Sequence, residues 1–200
     1  MKRIGFIDYY LDEWHANHYP AWIREQCRAA GSDCDVALAW ADIGRPGGLG
    51  TAEWCSRNQV AAASSLAEVV ERSDYLVVLS PDNPEQHERL ARLPLMSGKP
   101  VYIDKTFAPG LASGRRMFDL AAQHGTPMFS SSALRFASEL MSQPEALPDR
   151  SGLEYLSTLG PGSFTTYAVH QLEMIVALAG PDARRIKSLS GGQEIGRAHV

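Results

Sequence analysis

The sequence predicts an α/β protein: a doubly wound parallel sheet, followed by an incomplete α+β second domain. Three observations carry this reading. Short apolar runs bounded by turn residues alternate with longer segments of helical period, the pattern of repeated βαβ units. The run at 75–80, YLVVLS, is almost wholly apolar, as a strand covered on both faces requires. Glycines at Gly31, Gly98 and Gly125 close several of the helical segments, supplying the left-handed residue that ends a helix.

In chain order, strands are expected at residues 3–8, 35–41, 59–63, 75–80, 100–104 and 127–130. Helices are expected at 17–30, 66–72, 85–96 and 111–124. The segment GRPGGLG at 44–50 has four glycines and a proline directly after the second strand, which predicts an exposed loop near a ligand crevice. From Phe129 the βαβ rhythm gives way to SSSALRF, a stretch between Pro144 and Pro148, a strand near 153–159 and a helix at 166–179. A first domain at 1–130 and a second at 131–193 follow. The ending EIGRAHV, 194–200, reads as the in-frame translation of a sequencing-adapter oligonucleotide and is expected to be an artefactual tail.

The balance of 19 basic against 23 acidic residues, net charge −4 with no basic stripe, predicts no nucleic-acid partner. No apolar run approaches the roughly 20 residues that cross a bilayer, and the start MKRIGFID turns acidic early, so a cytoplasmic protein without a membrane partner is expected. Cys27, Cys34 and Cys55 are odd in number and fit no metal or secreted-disulfide spacing, which predicts reduced structural thiols.

Ligands of an open parallel sheet bind at the carboxyl ends of its strands, where helix N-termini also point. Those ends carry Asp8, Asp42, Ser80-Pro81-Asp82-Asn83 and Asp104-Lys105-Thr106. An ammonium at the mouth of a buried strand can hydrogen-bond a substrate hydroxyl and favour its deprotonation, so Lys105 is a candidate catalytic residue. Asp104 either orients it or forms the turn. On the apolar helix TTYAVHQLEMIVALAG, Tyr167, His170 and Glu173 share one stripe. His170 is either a proton acceptor whose tautomer Tyr167 and Glu173 help to fix, or a core histidine satisfied by a backbone carbonyl. The spacing Asp12-x-x-His15-x-x-His18 lacks supporting context and predicts no metal site.

The order SDYLVVLSPDNPEQHERLA, SGKPVYIDKTFAPG, SALRF and YAVHQLEMIVALAG resembles the Gfo/Idh/MocA family of nicotinamide-dependent sugar and cyclitol dehydrogenases. The resemblance spans roughly residues 1–180 and is most specific at 74–110. It implies a Rossmann-type first domain, with Gly98, Lys99 and Val101 matching the family's GK-x-V strand and Lys105 the lysine of its Glu-Lys-Pro motif. Asp104 stands for the glutamate and Thr106 for the proline. His170 matches the family's acid/base histidine, and Glu173 a frequent aspartate. The cofactor cleft is then expected to involve Asp8, Tyr9, Tyr10, Asp42, Ser80, Pro81, Asn83, His87, Asp104 and Lys105. The glycine fingerprint after the first strand is replaced by IDYYLDEWHANHYP, which puts Asp8, Tyr10 and Glu13 at the glycine positions. Asp42 either accepts from the adenosine ribose, favouring NAD over NADP, or caps the glycine-rich turn, while Arg45 could meet a phosphate.

The function expected is hydride transfer between a sugar, cyclitol or related polyol and NAD(P). The alternative is a non-catalytic ligand-binding or sensor protein of the same fold that has lost the cofactor loop. The resemblance further implies a homo-oligomeric full-length protein.

Overall fold

The computed structural model describes residues 1–141, 153–182, 185–186 and 198–199. The chain divides into two compact units, Met1–Ser130 and Ser131–Val200.

Unit 1 contains β1 (Lys2–Asp8), α1 (Trp14–Ala29), β2 (Cys34–Ala41), α2 (Thr51–Asn58), β3 (Ala61–Ala62), α3 (Leu66–Arg72), β4 (Tyr75–Val78), α4 (His87–Leu95), β5 (Val101–Ile103), α5 (Leu111–Gln123) and β6 (Met128–Phe129). The six strands form one sheet in the order β3-β2-β1-β4-β5-β6, and every adjacent pair is parallel. The order reverses beside β1, which makes the carboxyl ends of β1 and β4 the crevice of a doubly wound sheet.

Alternation along β1 divides the core. Phe6 packs with Ala16 of α1 and Trp54 and Cys55 of α2 on one face. Its neighbour Ile7 packs with Val69 of α3, Leu90 and Leu95 of α4 and Met117 of α5 on the other. Gly5 lets β1 approach α3: a Cβ there would lie 2.3 Å from Ser73 Oγ and 2.5 Å from Val69 Cγ1. Gly5→Ala is therefore expected to cost about 1–3 kcal/mol by overpacking, read as a lowered urea midpoint with unchanged m-value. A midpoint equal to that of the unsubstituted chain would show that α3 moves aside freely.

The structure adds α2, which the sequence reading omits. Gln59 caps it in a left-handed conformation, φ 57°, so β3 is confined to Ala61–Ala62 rather than 59–63. Helix α1 starts earlier than expected because the Glu13 side chain accepts from the His15 and Ala16 amides as its N-cap. Strand β4 ends at Val78, and Ser80 takes φ 81°. The expectation of three reduced cysteines is corrected: Cys27 at the end of α1 and Cys34 at the start of β2 form a disulfide, their Cα atoms brought to 6.2 Å by the short reversal between these elements. Cys55 stays a buried thiol, pushed up to about 11 by burial.

Unit 2 has a 3-10 turn at Ala133–Phe136, α6 (Ser138–Met141), α7 (Phe164–Ala179) and an antiparallel pair, β7 (Arg185–Ile186) with β8 (Ala198–His199). The strand expected near 153–159 does not form; these residues are irregular, with no neighbouring strand among the described residues to complete a ladder. The stretch between Pro144 and Pro148 lies outside the described residues, as does the expected tail 194–200 apart from β8. No described helix is long and apolar enough to cross a membrane.

Candidate active site

At the end of β1, Asp8 is buried and its Oδ1 accepts from the Tyr9 amide at 2.6 Å, while Oδ2 has no partner among the described residues. Burial raises the Asp8 carboxyl well above the carboxylate range, and the nearby charge of Glu13 raises it further. Ser80 Oγ accepts from the same Tyr9 amide at 3.2 Å, which ties the end of β1 to the end of β4. Tyr10 lies under the Arg45 guanidinium, 5.6 Å from the ring centre.

Glu13 is buried, and its carboxylate sits on the first amides of α1, accepting from His15 N at 2.6 Å and from Ala16 N. Burial pushes it up to about 7 against the lowering effect of these donors.

Asp104, at the mouth of β5, is fully buried. Its Oδ1 accepts from the Lys105 amide at 2.8 Å and from the Tyr102 hydroxyl at 3.1 Å, and its Oδ2 meets His15 Nδ1. Tyr19 stacks on the His15 ring with centroids 5.1 Å apart. Burial, followed by the charge of Asp104, raises both the Tyr102 and Tyr19 phenols, so these hydroxyls stay protonated. Lys105 is half-buried beside this cluster, and no hydrogen bond or ion pair holds its ammonium among the described residues. The Lys105–Thr106 peptide is cis.

Other expected cofactor residues have structural partners. Asp42 Oδ2 pairs with Arg89 of α4 at 2.8 Å. Asn83 turns the chain into α4, donating its amide to Ser80 O at 3.1 Å, with Pro81 between them. His87 is fully buried, its Nε2 2.6 Å from Leu79 O and its Nδ1 3.0 Å from Phe107 O. Both ring nitrogens of this expected cofactor residue are thus placed on backbone carbonyls. Asp12 is held by Asn17 Nδ2 at 3.0 Å and the Leu49 amide at 3.0 Å, closing the glycine-rich loop. His18 Nδ1 lies 2.6 Å from Trp14 O. Among the described residues no group of three or more His, Cys, Asp or Glu is placed to hold a metal.

In unit 2, His170 Nδ1 lies 2.5 Å from Ser132 Oγ, and Ser132 is itself buried. The Tyr167 ring is 5.6 Å from that of His170. Glu173 accepts from the Ser132 amide at 3.2 Å and from Arg135 at 2.9 Å, fastening the 3-10 turn to α7. Ser132 is thus one partner of His170 that sequence spacing missed.

Unit 1 therefore gathers Asp8, Tyr9 and Ser80 in one group and Asp104, Lys105 and His15 in another, while unit 2 holds His170, Tyr167 and Ser132. The contacts that bring His15, Tyr19 and Tyr102 to the Asp104 group were not read from the sequence. The available signals are the His15/Tyr19 helical spacing and the Tyr102/Asp104 strand spacing, which place each pair on one face.

Comparison with known proteins gives a family-model match, "Oxidoreductase family, NAD-binding Rossmann fold", over residues 15–132, starting two residues after Glu13. No curated protein matches the chain. Similar solved structures include a probable dehydrogenase from Thermotoga maritima, at TM-score 0.69 and 16% identity over 90% of this chain and 56% of that one. The WlbA dehydrogenase from Bordetella pertussis, in complex with NADH and UDP-GlcNAcA, has TM-score 0.66 and 17% identity over 90% of this chain and 59% of that one. Biliverdin reductase from Synechocystis sp. PCC 6803, with biliverdin and NADP+, has TM-score 0.61 and 15% identity over 92% of this chain and 60% of that one. The chain thus spans about 56–60% of the length of these structures.

Proposed function

This chain belongs to the Gfo/Idh/MocA oxidoreductase family, and we propose that it takes part in NAD(P)-dependent oxidation or reduction of a sugar, cyclitol or related polyol. The observation that carries this reading is Lys105, a half-buried ammonium without a protein partner among the described residues, at the carboxyl end of β5. In this reading unit 1 is the dinucleotide-binding domain and unit 2 the start of a substrate domain.

Away from the α1 N-terminus, the residues of unit 1 fit the ribose and nicotinamide portions of a dinucleotide in kind. The α1 N-terminus offers two amides to an anion, and the anion it carries is the carboxylate of Glu13. Ser80 at the end of β4, Asp42 at the end of β2 and Lys105 would hold the ribose and nicotinamide portions. A preference for NAD over NADP rests on the Asp42 carboxylate outweighing the Arg89 guanidinium paired with it at 2.8 Å. The bound nicotinamide supplies the hydride acceptor or donor.

The chain's own groups manage the proton. Lys105 donates to the substrate hydroxyl and stabilises its oxyanion character as the carbinol carbon is oxidised. Asp104 positions Lys105 through the backbone amide it accepts. His170, its ring oriented by Ser132, is assigned the role of proton acceptor that the family resemblance implies.

Calorimetric titration with NADH and NADPH, followed by a sugar and cyclitol panel, tests the reading. Micromolar binding of either dinucleotide supports the oxidoreductase. A non-catalytic small-ligand binder is the second reading, favoured by the buried Asp8 and Glu13 at the glycine positions; absence of binding by both dinucleotides would select it.

A further inference from the structure

We propose that Glu13 is a built-in competitor for the cofactor's pyrophosphate, occupying the α1 amides that would otherwise receive it. The inference rests on the oxidoreductase reading.

A helix N-terminus stabilises one anion through its unpaired amides and its dipole. In α1 the amides of His15 and Ala16 are already committed to the Glu13 carboxylate. Glu13 is only 1% exposed, so its carboxylate is a filled seat rather than a surface charge near an open one. A dianion cannot share these donors with an ionised carboxylate; its binding requires that Glu13 withdraw or become neutral.

Asp8 supplies an independent second observation. It is 1% exposed, and its Oδ2 has no partner among the described residues. Burial, the larger cause, favours its neutral form even once Glu13 has lost its charge, and the hydroxyl of that form can donate to a phosphate oxygen. Once Glu13 gives up its charge or its place, the β1 end therefore offers a donor beside the α1 amides. The seat accepts phosphate chemistry despite lacking glycines, at the cost of displacing the residue that fills it.

The charged and titratable groups around Glu13 are Asp8 from β1, Tyr10 after it, Asp104 from β5, and His15 and Tyr19 on α1 itself. Glu13 is pushed up to about 7, so lowering the pH through that value neutralises the competitor. The sign is fixed: wild-type affinity for the dinucleotide rises as pH falls, because the competent neutral form is more populated.

The test is NADH titration of the full chain and its Glu13→Gln variant, by fluorescence and calorimetry, at about pH 6 and about pH 8. Glu13→Gln keeps an oxygen to cap the helix and removes the charge. At about pH 8 the variant is expected to bind NADH about tenfold tighter than wild type, and wild type is expected to tighten by about tenfold on going to about pH 6 while the variant stays flat. The wild-type pH series needs no substitution and holds even if the variant folds poorly. Measurable NADH binding that is equal in the two proteins and insensitive to pH overturns the competition alone. No binding of NADH or NADPH by either protein at either pH removes the oxidoreductase reading and the competition with it.

Discussion

Lys105→Ala is expected to lower turnover by about 100-fold or more while leaving the fold intact. The expectation follows from what surrounds the side chain. Its backbone amide is fixed by the buried Asp104 carboxylate, but its ammonium has no protein partner among the described residues. Truncation thus removes a donor from a ligand, not a strut from the core. The loss should fall mainly on kcat, because the ammonium matters most as negative charge develops on the substrate oxygen. Lys105→Arg should recover little: a planar, more extended guanidinium does not present a donor at the same point. His170→Ala is expected to produce a loss of similar size through the proton it accepts. The measurement is steady-state kinetics of the full-length protein on the polyol identified by the panel, with circular dichroism to establish folding. Unchanged kcat in both folded variants would remove the proposed mechanism.

The central strands were legible because their apolar runs follow from burial on two faces, whereas the edge strands β3 and β6 are short and largely exposed. β1 sends Phe6 and Ile7 to opposite cores, and β4 is apolar for the same reason. Helix α2 was not legible. It is two turns long and buries the adjacent residues Trp54 and Cys55, so it lacks the repeated stripe by which helical period is recognised. Lys105 and Asp104 were legible as polar residues ending an apolar strand.

The remainder of the candidate site depends on contacts that spacing cannot encode. His15 and Asp104 lie 89 positions apart and meet only because α1 and β5 converge at the switch point of the sheet. His170 and Ser132 are 38 positions apart, and Glu173 is engaged by the Ser132 amide and Arg135. Glu13 was visible as a residue at a glycine position, but its capping of α1 emerges only once the helix start is known. A carboxylate at a phosphate-loop position thus serves as an internal ligand of the helix amides as well as a repulsive charge.

Trp54→Ala is expected to destabilise unit 1 by about 3–5 kcal/mol, the largest stability effect among the substitutions considered. Trp54 is fully buried against the α1/α2 face of the sheet, in one cluster with Phe6, Leu11, Ala16 and Val36. Its removal leaves a cavity that short α2, anchored otherwise by Cys55, can fill only by shifting. It also removes the indole donor from Asn17 Oδ1, at 2.7 Å. Asn17 belongs to α1 and passes the constraint on, donating through Nδ2 to Asp12, which holds the Leu49 amide of the glycine-rich loop. Trp54 therefore fixes the start of α1, where Glu13 and His15 reside, through one asparagine. Trp54→Phe keeps most of the apolar volume and loses the donor, so it is expected to cost about 1–2 kcal/mol. Urea unfolding of both variants separates packing from hydrogen bonding. If packing alone mattered, Trp54→Phe would cost no more than about 1 kcal/mol, the share of its smaller volume; if Trp54→Ala cost less than about 1 kcal/mol, α2 would not be seated on this face at all.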